Sequence, residues 1–392
     1  VATLQEAGRI LPAFFMSGLY FHIPFCRRKC PYCDFYSVPA EDERLVQYPR
    51  LLAKHLELTR RKGEGEGPFR TVFFGGGTPS LLTPAAIAPL LDAVRRLFGL
   101  DPGAEISLEA NPGTVTAASL DGYRRAGINR ISLGIQSLQR ENLALLERIH
   151  SPEEAKAAVR LARSAGFDNL SCDLMFALPG QGVNALLEEV DRVLDLQPDH
   201  LSCYGLTAEK ETPFYHLHRA GGLPLPDEDT SADMYLALHR RLTSAGYLHY
   251  EVSNYAQPGF QCRHNLGYWE REEYLGIGAG AHSFLDRGWG KRREVPGDLG
   301  RFAAALGEGR DPARTLEVFD RRGAMAETLY LGLRTERGVD DVGFRSRFGA
   351  GVAEAFPGGV ERAGGHLTLC GGRWVLDLEG WLLYDHLISG FL

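Results

Sequence analysis

No stretch of this 392-residue chain approaches the ~20 consecutive apolar residues needed to span a bilayer. The run from Arg9 to Phe15 is too short and too poorly flanked for a secretory signal. An excess of positive charge is also lacking. Acidic residues outnumber basic ones 50 to 43, and the net charge of −7 gives no general attraction for nucleic acid or anionic lipid. Cysteine is sparse and odd in number, with seven in all, three of them inside eight residues. That pattern is a poor disulfide framework and points to metal in a reducing compartment. Neither a P-loop nor a dinucleotide fingerprint is present, since the Lys or Gly spacing each requires is missing.

What is there suits a folded α/β protein. Hydrophobic residues make up 44% and charged residues 24%, enough for a sizeable core and against wholesale disorder. Short apolar strands alternate with amphipathic helices from Gly18 to about Ala256. Six strands are predicted: Leu19–Phe25, Thr71–Phe74, Glu105–Glu109, Arg130–Ile135, Asn169–Phe176 and His200–Leu206. Thr83-Pro84 starts one helix, and Ser151-Pro152-Glu153-Glu154 is a capping box for another. Ala-Gly pairs at 126–127, 165–166 and 245–246 read as helix stops, with Gly supplying the left-handed turn. The alternation predicts right-handed crossovers and a parallel sheet, an open partial (βα)6 barrel, with a doubly wound sheet as the alternative.

The expected organisation has four parts. Residues 1–15 read as an upstream extension, with Met16 as the natural start, and 16–257 form the barrel. Residues 258–309 form a glycine-rich connecting region, and 310–392 form a small C-terminal α+β domain of winged-helix shape. Its hairpin is signalled by Gly371-Gly372.

Three features carry chemistry. Cys26, Cys30 and Cys33 have C-x3-C-x2-C spacing directly after a strand, where barrel active sites are built. Thiolates suit Fe–S clusters or zinc. The cysteines alone leave both open, and Arg27, Arg28 and Lys29 are available to offset cluster charge. Gly75-Gly76-Gly77-Thr78-Pro79 follows the second strand and lets backbone approach a ligand closely. Polar residues sit at successive strand ends: Glu109, Gln136, Asp173 and Thr207, with Arg148 on the helix after Gln136. Together they describe a polar pocket beside the cysteine loop.

Tyr20-Phe21-His22-Ile23-Pro24-Phe25-Cys26, with the cysteine spacing, resembles the radical-SAM superfamily. More narrowly it is similar to the branch of oxygen-independent coproporphyrinogen III oxidases and HemW-type haem chaperones. The resemblance implies a [4Fe–4S] cluster on Cys26, Cys30 and Cys33. The open iron would take the amino and carboxylate groups of S-adenosylmethionine, and one-electron reduction would cleave the sulfonium. It implies contacts to that nucleotide from Tyr20, Gly77 and Glu109. Tyr32, Thr78, Pro79, Gln136, Arg148, Asp173 and Thr207 match the residues that contact a second S-adenosylmethionine in the oxidases, so one or two are expected.

The oxidases carry a fourth cysteine where this chain has Phe35, which sets oxidative decarboxylation of coproporphyrinogen III behind a chaperone role. His264-Asn265-Leu266-Gly267-Tyr268-Trp269 matches the H-N-x-x-Y-W motif associated with haem in the chaperone group. His264 is a candidate axial ligand, and Tyr268 and Trp269 offer flat surface to a porphyrin. A turn with aromatic core packing is the plainer alternative, and His282 ranks below His264. The expectation is a cytoplasmic protein, peripheral at the inner face of the membrane, that carries haem to respiratory acceptors, as a monomer or homodimer and without nucleic acid.

Overall fold

The computed structural model describes residues 18–65 and 67–392; the expected extension over 1–15 lies outside them. Each predicted strand forms, because its odd and even residues face different surroundings. Leu19, Phe21 and Ile23, then Val72 and Phe74, then Ile106 and Leu108, then Ile131, Leu133 and Ile135 are buried against helices in one apolar cluster. The other parity is polar: Glu105, Ser107 and Glu109; Arg130 and Ser132; Ser171 and Asp173; His200 and Ser202. Period-two alternation therefore sends apolar side chains outward and polar ones into a lumen.

In chain order the barrel elements are β1 (Gly18–Ile23), α1 (Asp42–Arg61), β2 (Phe69–Gly76), α2 (Pro84–Leu97), β3 (Leu100–Ala110), α3 (Ala117–Ala126) and β4 (Arg130–Gln136). Then come α4 (Arg140–Leu145), α5 (Pro152–Ser164), β5 (Leu170–Phe176), α6 (Val183–Leu194), β6 (His200–Gly205), α7 (Pro213–Arg219) and α8 (Glu228–Ser244). The helix signals behave as read. Ser151 Oγ accepts the Glu154 N–H at 3.2 Å, and Glu154 returns the bond to Ser151 N–H at 2.7 Å. Gly127, Gly166 and Gly246 all have positive φ. Thr83 precedes Pro84 at the start of α2, but its side chain makes no cap bond.

The sheet is wider than six strands. After β7 (Leu248–Glu251), β8 (Asn254–Ala256) and α9 (Arg263–Trp269) come β9 (Tyr274–Ile277), β10 (His282–Leu285), β11 (Lys291–Glu294), α10 (Leu299–Gly307) and β12 (Arg314–Val318). The order is β12-β11-β10-β9-β1-β2-β3-β4-β5-β6-β8-β7. Strands β1–β6 are mutually parallel, and β9 joins them as a seventh, parallel to β1 through Tyr274–Ile277. The glycine-rich stretch that broke the sequence rhythm makes this docking feasible. A Cβ on Gly276 would sit 1.9 Å from the His282 carbonyl, and one on Gly278 would sit 2.7 Å from the His22 carbonyl. Only glycine fits so near another backbone.

Strand β12 lies inside the segment expected to open the C-terminal domain at 310, yet it is the edge of the large sheet. A second apolar core gathers residues from Phe319 to Phe391, joined by Phe284 of β10. There a hairpin of Leu367–Cys370 and Arg373–Leu376 pairs with Val339–Asp340, among short helices. Among the described residues no helix is long and apolar enough to cross a membrane.

Candidate cluster and nucleotide site

The cysteine loop leaves β1 and is tied down at its base. Val38 N–H donates to the Pro24 carbonyl at 2.7 Å and Ala40 N–H to the Cys26 carbonyl at 2.9 Å. Gly77 N–H bonds the Ile23 carbonyl at 2.9 Å, which seats the glycine loop beside the cysteines. A Cβ on Gly77 would lie 2.7 Å from the Phe25 carbonyl and 3.0 Å from Cys26 Sγ. Gly77→Ala must push the cysteine loop away at a cost of about 1–3 kcal/mol. Iron bound after anaerobic reconstitution is expected to fall to a minor fraction of the parent's, with the circular dichroism of the fold retained.

Cys26, Cys30 and Cys33 line one cavity of about 450 Å³ together with Gly77, Thr78, Pro79, Glu109, Gln136, Arg148, Asp173 and Thr207. Tyr32 lines it too. This volume is typical of small-molecule sites. Residues spread along the chain from Cys26 to Thr207 thus meet at the C-terminal strand ends. Tyr20 does not reach this cavity wall. It stands behind the glycine loop, its hydroxyl 3.0 Å from His22 Nδ1, and a Cβ on Gly75 would touch its ring at 2.9 Å. Sequence reasoning passed over Asn111, Ser132, Met175 and Tyr204, which also line the cavity. Their signal was available, since Ser132, Met175 and Tyr204 share the lumen-facing parity of their strands.

The sulfur environment suits a cluster with one open corner. The other cysteines are elsewhere: Cys172, Cys203 and Cys262 are buried, and Cys370 is exposed on the C-terminal hairpin. Arg148 Nη1 approaches Cys30 Sγ at 3.3 Å, and the Thr78 hydroxyl faces Cys26 Sγ at 3.6 Å. Arg148 is itself fixed by the Gly134 carbonyl at 2.8 Å and by Asn111 Oδ1. Its charge adds to that expected of Arg27, Arg28 and Lys29. Arg28 and Lys29 line the same cavity, and Lys29 Nζ donates to the Phe35 carbonyl at 3.3 Å, while Arg28 pairs with Glu147 at 2.6 Å. Burial pushes the Cys26 thiol up and Cys33 to about 11, the usual effect of low-dielectric surroundings on a group that ionises to an anion. Three thiolates, a cationic neighbour and a close glycine backbone fit an iron–sulfur cube holding a small ligand. When bound, such a cluster supplies one-electron reduction of the sulfonium.

Two carboxyl groups line the same cavity. Glu109 is driven to about 8 by burial first and by Asp173 second, against the pull of the Gly76 N–H that donates to it at 3.1 Å. Asp173 is also raised by burial, although Ser132 donates to it at 3.0 Å. An ionised Glu109 holds a sulfonium or a ribose hydroxyl better than a neutral one. Affinity for S-adenosylmethionine is therefore expected to climb as pH rises through about 8 and to level above it. The slope is at most about tenfold per pH unit. Calorimetric titration between about pH 6.5 and 9 checks this, and Glu109→Gln, which cannot ionise, is expected to flatten the profile.

The chain matches the Radical SAM superfamily model over residues 20–193 and the HemN C-terminal domain model over 319–383. It is 39% identical to the heme chaperone HemW of Escherichia coli K12 over 397 residues, covering 96% of this chain and 98% of that protein. The chain belongs to the Radical SAM superfamily, in the HemW branch. It is also 34% identical to the heme chaperone HemW of Bacillus subtilis, covering 87% of this chain and 89% of that protein. Among solved structures, the coproporphyrinogen III oxidase HemN of Escherichia coli superposes with a TM-score of 0.82, covering 96% of this chain and 90% of the oxidase. At 22% identity that likeness shows a common fold. Family membership brings a [4Fe–4S] cluster and S-adenosylmethionine with it.

The His264–Trp269 segment lies at the other end of the strands from the cysteines. It forms α9, and His264 plugs the lumen at the N-terminal strand ends, beside Gly18 and Thr71. The imidazole is 2% exposed. Its Nδ1 lies 2.8 Å from Thr71 Oγ1 and its Nε2 2.8 Å from Tyr268 OH. The ring stacks on Phe73 at 5.0 Å. Burial, aided by Arg130, pushes its pKa down to about 3, so it is neutral. Tyr268 packs edge-on against Tyr274 at 4.4 Å, and Trp269 turns away to meet the Arg334 guanidinium at 5.0 Å. His282 is an exposed residue at the start of β10. Phe35 stands 64% exposed at the rim of the cysteine cavity.

Proposed function

We propose that this chain binds haem and delivers it to acceptor proteins while holding a [4Fe–4S] cluster and S-adenosylmethionine at the barrel mouth. The observation that carries this reading is similarity along nearly the whole chain to proteins named as haem chaperones. Cys26, Cys30 and Cys33 hold the cluster. Gly77, Thr78, Pro79, Glu109, Gln136, Arg148 and Asp173 hold the nucleotide, with Tyr20 and Tyr32 supporting the loops around it. Neutral imidazole suits iron ligation, and His264 is the proposed axial ligand. Its two hydrogen bonds mean that α9 must shift before the ring can reach a porphyrin. Respiratory proteins at the membrane are the proposed acceptors, and a homodimer is the proposed assembly.

The oxidase reading has the shared fold on its side, while Phe35 stands where the oxidases have a fourth cysteine. One anaerobic experiment separates the two. Protein reconstituted with iron and sulfide is given S-adenosylmethionine and reductant, and then either haem or coproporphyrinogen III. The expected result is a Soret shift at one haem per chain and no protoporphyrinogen. Conversion of coproporphyrinogen III without haem uptake would overturn the proposal.

A further inference from the structure

The lumen floor holds polar groups that the nucleotide site leaves without a task. Asp173, a cavity residue, has Ser171 Oγ at 3.5 Å. Ser171 Oγ lies 2.8 Å from His200 Nδ1, and His200 Nε2 lies 2.7 Å from Tyr250 OH. The Cys262 N–H, at the N-cap of α9, donates to Tyr250 OH at 3.3 Å. Strand register sets Ser132, Ser171 and His200 side by side, so the row follows from the parallel pairing. Burial lowers His200 well below its ordinary value, leaving one ring N–H. One proton arrangement satisfies the whole row. Cys262 N–H donates to Tyr250, Tyr250 O–H to Nε2, Nδ1–H to Ser171, and Ser171 O–H to Asp173. The opposite tautomer would leave the Tyr250 hydroxyl hydrogen without an acceptor in this row, at a buried position.

The α9 end of the row has a second anchor. Arg130, 2% exposed, lies in the field of Cys262 and Glu105 there. Glu105 accepts the Arg263 N–H at 3.1 Å, the His264 N–H at 3.2 Å and the Cys262 thiol at 3.6 Å. The first turn of α9 is thus held by Glu105.

We infer that the Asp173–Ser171–His200–Tyr250 row is a positioning device that couples the nucleotide cavity to α9. A ligand that engages Asp173 withdraws the acceptor of the Ser171 O–H, and the one arrangement that satisfies the row is lost. The Cys262 N–H is then held less firmly at Tyr250, and the first turn of α9 loosens and releases His264 from the lumen. The haem arm of this inference rests on the proposed role of His264, whereas the coupling between cavity and helix does not. Coupling of this kind is reciprocal, so haem on a released helix must also favour nucleotide in the cavity.

The test uses the full chain, anaerobically reconstituted, with and without S-adenosylmethionine. Amide hydrogen exchange of the segment 262–269 and haem affinity are measured for the parent, Tyr250→Phe, Ser171→Ala and His264→Ala. In the parent, S-adenosylmethionine is expected to speed exchange at Cys262, Arg263 and His264 and to tighten haem binding, each by about fivefold or more. Both ratios are expected to fall toward one in Tyr250→Phe and Ser171→Ala, each of which deletes one hydroxyl of the row. Should Ser171→Ala not fold, Tyr250→Phe carries the test alone. A parent that shows no response to S-adenosylmethionine, or a response that persists unchanged in Tyr250→Phe, overturns the inference. If His264→Ala takes haem like the parent while exchange still responds to S-adenosylmethionine, the haem reading fails and the coupling stands.

Discussion

Cys30→Ala is expected to abolish iron and sulfide retention after anaerobic reconstitution, and with it binding of S-adenosylmethionine. The thiol it removes is the one that Arg148 approaches at 3.3 Å, so the variant also strands a guanidinium beside the cavity. No other cysteine can stand in: Cys172 and Cys203 face the outer apolar cluster, and Cys262 sits next to Glu105 at the far end of the lumen. The fold is expected to survive, because backbone bonds at Val38, Ala40 and Gly77 tie down the cysteine loop. Iron and sulfide analysis, the visible absorption of the reconstituted protein and far-ultraviolet circular dichroism together check this. Retention of a full complement of iron by the variant would refute assignment of Cys30 to the cluster.

His264→Ala is expected to lose haem binding and about 2–5 kcal/mol of stability together. The stability loss comes from emptying a packed site and from taking a partner away from Thr71 and Tyr268. The two effects must therefore be told apart. Tyr268→Phe does so, because it removes only the hydroxyl that occupies Nε2 and keeps the flat ring. If the imidazole is the iron ligand, Tyr268→Phe is expected to take up haem faster than the parent although it is less stable. Stopped-flow Soret absorbance and urea denaturation, run on the same three proteins, decide the matter. A His264→Ala protein that binds haem with parental affinity would move the iron ligand elsewhere.

The parallel barrel, its helix stops and the cysteine loop were all legible in the residues. They rest on local rules: period-two alternation, a capping box at Ser151, left-handed glycines at 127, 166 and 246, and a motif of fixed spacing. Cavity residues such as Glu109 and Asp173 were legible for a related reason, since a parallel strand's end always points to the same rim. The role of Arg148 was less so. Expected on a helix, Arg148 lies in the loop between α4 and α5, where Asn111 and the Gly134 carbonyl aim it at Cys30.

Sequence by itself determined which side chains could face the lumen and which loop could hold a cluster, because backbone geometry ties both to neighbouring residues. Tertiary structure alone decided where the histidine motif goes. Nothing in His264–Trp269 announces burial under β1–β3, for that depends on Gly18 leaving room, on Glu105 reaching across to the first turn of α9, and on β9 docking parallel to β1. Those contacts join residues far apart in the chain, and their energy exists only once the sheet has closed around them.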